Sequence, residues 1–422
     1  MLQTPIGRWK LRQGVGYRLW PVTSLLARAY RRAVLRHTRV IAVVGSFGKS
    51  TTARAVSAVL NVPEHPGMLL NSWGEVASAL LRVRPSQAHA VIEVGIARPG
   101  EMQAYAGTVR PDIAIVTAVG SEHNRSLGTL EATRAEKSWM VRALPRSGTA
   151  ILNADDPNVL WMRGKTEARV VTFGFGEACD VRAESVRIDW PHGTRFRLKA
   201  FGHERDVAIR LIGRHMIYPA LAAIAASQLA GRSLDGALAL LESLPPTPGR
   251  MEPTALPQGA FVLRDDFKSA LETMHAALDA FAEIPARRRL VVLGDVSEPP
   301  GPQRPIYQAL AERVARMASH LIVIGHGLEA YSSGARRGGM PKSSIIDGGR
   351  TPQQAAEALG KLLQPGDVVL IKGRNTQMLD RIRLILQGRR VGCNITFCNV
   401  HTLYCNDCPM LERGWGKHRV IM

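Results

Sequence analysis

The stretch Val43–Thr52, VVGSFGKSTT, decides the reading of this chain. It follows the apolar run Arg39–Val44 and opens a run with helical spacing, Ser50–Leu60, so a strand, a glycine turn and a helix are predicted in succession. In such a turn the glycines let backbone N–H groups approach phosphate oxygens, and the helix N-terminus adds its partial positive charge. Gly45, Ser46, Phe47, Gly48, Lys49, Ser50 and Thr51 therefore form the expected phosphate cradle. Lys49 is expected to reach the terminal phosphates of a nucleotide and the Ser50 hydroxyl to ligate Mg²⁺. The general pattern for such loops has a glycine where Val43 stands, with the first glycine here at Gly45.

The rest of the chain is compatible with a globular nucleotide-binding protein. Its 422 residues, 45% of them hydrophobic, suffice for two or three domains with proper cores. No apolar run approaches the ~18–20 residues of a membrane span, no signal peptide is apparent, and a cytoplasmic location is the expectation. The net charge of +20 is unevenly placed. Residues 1–40 hold nine Lys/Arg and no acid, with Trp9, Tyr17, Trp20, Leu25, Leu26 and Tyr30 between the charges. Such an arm suits a helix packed on the first domain with a solvated cationic face, or contact with an anionic membrane surface on the inner face, or with nucleic acid.

Apolar runs ending in polar residues recur at Ala88–Val94, Asp112–Val119 and Thr149–Leu152, separated by helix-spaced segments such as Leu130–Leu144. That alternation predicts an α/β architecture: a P-loop doubly wound central domain with ligand groups at the carboxyl ends of its strands. Residues 180–211 alternate polar and apolar, as appended antiparallel hairpins do. Leu244–Gly249, LPPTPG, breaks the pattern, and the α/β rhythm then returns as a smaller Rossmann-like α/β C-terminal domain. The expected divisions are a basic arm at 1–38, a central domain at 39–245, a C-terminal domain at 246–388 and a Cys-rich tail at 389–422.

With these pieces in order, the chain resembles the Mur ligase family over roughly residues 40–386. GSFGKSTT is similar to that family's shortened loop, so the displaced glycine is a family mark. LNSWGEVASALL at Leu70–Leu81 puts Asn71 on the family asparagine, and IEVGIARPGEM at Ile92–Met102 matches ExGxxxxGEI through Glu93, Gly95, Gly100 and Glu101. His123 and Lys137 stand fourteen residues apart, the family spacing of a metal-ligand histidine and an active-site lysine that relatives commonly carbamylate. GRHMIYPALAA at Gly213–Ala223 resembles GxHNxxNALAA, with His215 retained and Met216 and Pro219 on the two asparagines. The first asparagine contacts adenine in relatives, and a methionine offers the base only a soft apolar contact, so altered adenine recognition is implied. PGR at Pro248–Arg250 and DDFKSA at Asp265–Ala270 also match, directing Arg250 to the γ-phosphate, Asp266 to ribose and Lys268 to phosphate.

The resemblance implies an ATP- and Mg²⁺-dependent ligase that activates a carboxylate as an acyl phosphate for attack by an amino-acid or peptide amine. Catalytic roles then fall to Lys49, Glu93, His123, Lys137 and Arg250, and Mg²⁺ to Ser50, Glu93, His123 and carbamylated Lys137. Family members that use a UDP-muramoyl acceptor begin with a further N-terminal domain, whereas only the basic arm precedes the loop here, a layout closer to the ligase half of cyanophycin synthetase. The alternative is a degenerate nucleotide-binding member acting as a partner or regulatory subunit, and a nucleic-acid NTPase draws on charge alone. The tail carries Cys393, Cys398, Cys405 and Cys408. A tetrahedral Zn²⁺ site, a redox role and unpaired thiols are the readings that this spacing leaves open.

Overall fold

The computed structural model describes residues 4–64, 70–121, 124–400 and 404–415. Among these, Lys10–Pro245 form one compact unit, and the residues up to Trp9 with those from Pro246 onward form another. No helix of the described residues is long and apolar enough to cross a membrane.

The first unit is built on an eight-stranded sheet. Its strands are β1 (Arg39–Val44), β2 (His89–Glu93), β3 (Ile113–Val116), β4 (Thr149–Asn153), β5 (Arg169–Gly174), β6 (Val181–Asp189), β7 (Gly193–Ala200) and β8 (His203–Ile209), in the order β2-β1-β3-β4-β5-β6-β7-β8. Strands β1 to β5 run parallel, and their near-continuous valine, isoleucine and alanine suit a sheet covered on both faces. Strand β1 lies between β2 and β3, so the chain leaves its carboxyl end first to one side and later to the other. That switch point opens a crevice at the β1 carboxyl end, and the Val43–Thr52 loop occupies it. The alternating segment forms the antiparallel strands β6 to β8.

A 29-residue helix, Pro5–Ala33, precedes β1. From Lys10 onward it packs one face on the first unit. Gly16 meets Gly74 backbone to backbone, Trp20 stands edge-on to Trp73 and Tyr105 at 5.5 and 5.3 Å, and Arg31 pairs with Asp112 at 2.7 Å.

The second unit has the strands β9 (Glu252–Ala255), β10 (Phe261–Asp265), β11 (Arg288–Leu293), β12 (His320–Val323), β13 (Ile345–Asp347) and β14 (Asp367–Lys372), ordered β13-β12-β11-β14-β10-β9. All pairs are parallel except β9 with β10, where Pro253 sits on the sheet edge that can spare an N–H donor. Two elements carry little sequence signal. Strand β5 is a short apolar run bounded by charge, and the helix Leu328–Arg337 contains Ser-Ser-Gly, which reads as a turn. Gly334 is needed there because a Cβ would lie 2.0 Å from the Gln308 carbonyl of the neighbouring helix.

Candidate active site

Backbone geometry shapes the loop after β1. Gly45 has φ +149°, and a Cβ on it would lie 2.0 Å from Thr117 Oγ1. Gly48, at φ +79°, is the left-handed cap that opens the helix Lys49–Val59. The loop is laced to the carboxyl end of β3. Ser46 N donates to Ala118 O at 2.6 Å, Gly120 N donates to Ser46 Oγ at 3.0 Å, and the Thr117 hydroxyl reaches the carbonyls of Phe47 and Val44. Asn153, at the end of β4, holds Thr117 O in turn at 2.9 Å. Thr117 escapes sequence reasoning, since its one signal is a place at the end of an apolar run before Gly120.

Two lysines converge on this loop. Lys49 Nζ donates to Gly45 O at 2.8 Å and Ser46 O at 3.1 Å, and Lys137 Nζ, from the helix Leu130–Arg142, donates to the same Gly45 O at 3.1 Å. Lys137 is fully buried. Loss of hydration, followed by repulsion from Lys49, drives its ammonium well below the ordinary lysine range.

Glu93 ends β2 beside Val43 of β1 and is buried. Its Oε1 accepts from Asn71 Nδ2 at 2.6 Å, and Asn71 O accepts from Gly95 N at 2.7 Å. A Cβ on Gly95 would strike the Asn71 amide at 2.6 Å, which accounts for glycine two residues after the carboxylate. The structure thus brings together Lys49, Lys137, Glu93 and Asn71 around the loop, with Ser50 half-buried at the helix start. His123 lies outside the described residues.

On the same unit Met216 is buried at the end of the short 3₁₀ turn Arg214–Met216, and His215 is half-buried beside it. Tyr218 Oη donates to Asp155 at 3.0 Å, Phe175 N donates to the same carboxylate at 2.7 Å, and the Arg214 guanidinium lies 3.8 Å over the Phe175 ring. Arg214 and Tyr218 lie within the Gly213–Ala223 stretch, but no local motif announces that they meet Asp155 and Phe175.

In the second unit, Arg250 lies 4.6 Å over the Phe267 ring. Asp265 and Lys372 face each other across β10 and β14 and form a buried pair at 2.7 Å, with Lys372 also donating to Lys268 O. Asp266 is buried against Arg264 at 3.1 Å, and the same guanidinium holds Glu252 at 3.0 Å and Asp380 at 3.1 Å. The carboxylate directed to ribose by motif is therefore engaged inside its own unit, and burial raises its affinity for a proton.

Two family models match the sequence, the Mur ligase middle domain over residues 43–227 and the Mur ligase glutamate ligase domain over residues 249–375. The UDP-N-acetylmuramoyl-tripeptide--D-alanyl-D-alanine ligase of Mycobacterium bovis is 32% identical over 372 residues, 81% of this chain and 72% of its own length. The chain belongs to the Mur ligase family. The fold agrees. MurF from Acinetobacter baumannii superposes with a TM-score of 0.77 at 23% identity, covering 88% of this chain and 81% of its own. The MurF ligase from Thermotoga maritima in complex with ADP gives 0.75 at 20%, covering 87% and 83%. This Mur ligase family member is an ATP-dependent carbon–nitrogen ligase that activates a carboxylate for attack by an amine.

The loop of this ligase fits a nucleotide: two glycines keep the cradle open, a helix N-terminus faces it, and two lysines stand at its rim. Among the described residues no group of three or more His, Cys, Asp or Glu could hold a metal ion, the four tail cysteines included. An arginine orders the tail. Arg381, buried to 1% exposure, donates to Cys393 O at 2.9 Å and Ile395 O at 2.6 Å, while Cys393 Sγ takes Arg381 at 3.4 Å and Trp415 Nε1 at 3.2 Å. The folded tail brings Tyr404 and Cys405 to the rim of a small cavity that Asp266 and Phe267 also line.

Proposed function

We propose that this ligase joins a dipeptide amine of the D-alanyl-D-alanine type to the terminal carboxylate of a cell-wall peptide. The observation that carries the reading is the pair of lysines on Gly45 O beside Glu93, in a chain that aligns with the D-alanyl-D-alanine-adding enzyme of Mycobacterium bovis over 81% of its length. ATP phosphorylates the peptide carboxylate, the amine attacks the acyl carbon, and phosphate leaves. Such chemistry needs positioning and charge stabilisation more than covalent help. Lys49 and the loop N–H groups supply it at the phosphates.

Mg²⁺, held by Ser50, Glu93, His123 and Lys137, would neutralise charge on the transferring phosphoryl group. An ammonium at Lys137 is a poor member of that set, whereas a carbamate on the same nitrogen supplies carboxylate-like oxygens. The burial of Lys137 beside Lys49 supports the carbamate, because both disfavour the cation. Met216 leaves the adenine to apolar contact.

The test is a drop-out assay on the full chain with ATP, Mg²⁺, UDP-N-acetylmuramoyl-tripeptide and D-alanyl-D-alanine, read by phosphate release and by mass. Phosphate release only when acceptor and amine are both present, with the mass gain of the dipeptide, supports the proposal. Release without either substrate, or ATP held without turnover, overturns it, the latter in favour of a nucleotide-binding partner protein. A mass gain on a peptide lacking the UDP-sugar but not on the UDP-linked one would relocate the acceptor to another class.

A further inference from the structure

The face of the N-terminal helix turned away from the first unit is apolar. Among the described residues, eight of the twelve exposed large apolar side chains fall between Leu11 and Val34. Leu11, Val15, Leu19, Val22 and Leu26 follow one another at spacings of four, four, three and four, which places them along one stripe of a helix. Val22, Leu25 and Leu26 are 57%, 63% and 56% exposed. The opposite stripe carries the residues that pack on the unit, Gly16, Trp20, Ala27 and Arg31, so the helix is anchored along its length and still presents an uncovered apolar face.

Charge selects the occupant. Arg8, Arg18, Arg32 and Arg36 are exposed with the stripe, and residues 1–40 contain no acid to offset them. At the helix end, Arg31, Arg32, Arg36 and Arg110 line one concave depression whose one acid, Asp112, pairs with Arg31. A second copy of this chain would set the same cations against each other, and a nucleic-acid backbone offers nothing to cover a row of leucine and valine. A bilayer with anionic headgroups satisfies both halves. The apolar stripe enters the headgroup and acyl boundary, arginine stems lie along it with their heads in the phosphate layer, and the helix rests in the membrane plane. We propose that this helix docks the ligase peripherally on an anionic phospholipid surface.

The experiment is flotation of the full chain with vesicles of phosphatidylcholine alone and of phosphatidylcholine with about one-third phosphatidylglycerol. The expected result is binding to the anionic vesicles only, weakening as salt rises from 50 to 500 mM. Val22→Ser with Leu26→Ser is expected to lower partitioning at least about tenfold, with circular dichroism and melting temperature unchanged because both side chains face solvent. Arg18→Glu with Arg32→Glu is expected to lower it by more than about a hundredfold, since each charge near the surface is worth roughly a factor of five. Equal binding to neutral vesicles, no binding to either, or full binding by the Val22/Leu26 variant overturns the proposal. So does a dimer in light scattering that this variant dissociates, which would assign the stripe to a second copy.

Discussion

Replacing Gly45 by alanine tests the loop geometry quantitatively. The new Cβ meets Thr117 Oγ1 at 2.0 Å and Ala118 O at 3.0 Å, and the backbone stays at φ +149°. The first contact cannot persist, so Thr117 must rotate and give up its reach to the Phe47 and Val44 carbonyls, a loss of roughly 1–2 kcal/mol. The dihedral adds about 1–3 kcal/mol for any residue with a Cβ. Gly45→Ala should therefore cost about 2–5 kcal/mol in the loop conformation that presents its N–H groups, weakening ADP binding by roughly thirtyfold to several thousandfold. Thr117→Ala alone loses the hydroxyl and costs about 1–2 kcal/mol. In its background Gly45→Ala no longer displaces a hydroxyl and costs only the dihedral part. Titration calorimetry of ADP on the four proteins of this cycle should show a coupling of about 1–2 kcal/mol in favour of the double variant. Full additivity, or undiminished ADP affinity in Gly45→Ala, would refute the lacing of the loop to Thr117.

Three further expectations follow from other parts of the molecule. Arg381→Met removes the donor to the carbonyls of Cys393 and Ile395 and should cost about 2–6 kcal/mol, about 1–3 for each carbonyl left unpaired, read as faster proteolysis of residues 390–415 than of the rest of the chain. Burial pushes the Cys405 thiol up to about 12, so iodoacetamide at pH 8 should label it at least about a hundredfold more slowly than an ordinary exposed thiol, as peptide mapping would show. His89, His275 and His320 are held below their ordinary value of 6.5, first by burial and then by Arg232, Arg313 and Arg288 respectively. The unfolded chain then binds protons that the folded chain refuses. Stability should be complete above pH 6.5 and decline as pH falls below it, and His275→Gln should shallow that decline in thermal melts.

What the sequence announces here is chemistry confined to neighbours along the chain. The phosphate cradle is legible because Gly45, Gly48, Lys49 and Ser50 act through one turn and one helix start, and Glu93 because a strand end fixes its side chain. Met216 is legible as a departure, though not the Tyr218–Asp155–Phe175 cluster near it, whose members come from three separate elements. Thr117 and Arg264 are silent for the same reason. Each acts on groups supplied by other elements, such as Phe47 for the first and Asp380 for the second. The tail shows the converse. Its cysteine spacing suggests a metal, and among the described residues an arginine with no sequence mark supplies the order, engaging Cys393 together with Trp415.

The two lysines on Gly45 O permit one more separation, between a group kept for the fold and one kept for chemistry. An ammonium at Lys137 would stand fully buried beside that of Lys49 on one carbonyl, and the lost hydration and the repulsion both disfavour it. As a structural element this is a poor arrangement: the carbonyl could be satisfied by Lys49 alone, which reaches it at the shorter distance of 2.8 Å. Lys137→Met keeps most of the buried volume, replaces a buried polar group by an apolar one and leaves Gly45 O one donor, Lys49. Its melting temperature should therefore equal or exceed that of the parent. Ligation should nevertheless fall by at least about a hundredfold, since the nitrogen proposed to carry the carbamate is gone. A variant that melts several degrees lower, with activity lost only in proportion to the unfolded fraction, would make Lys137 a packing residue and remove it from the phosphoryl-transfer site.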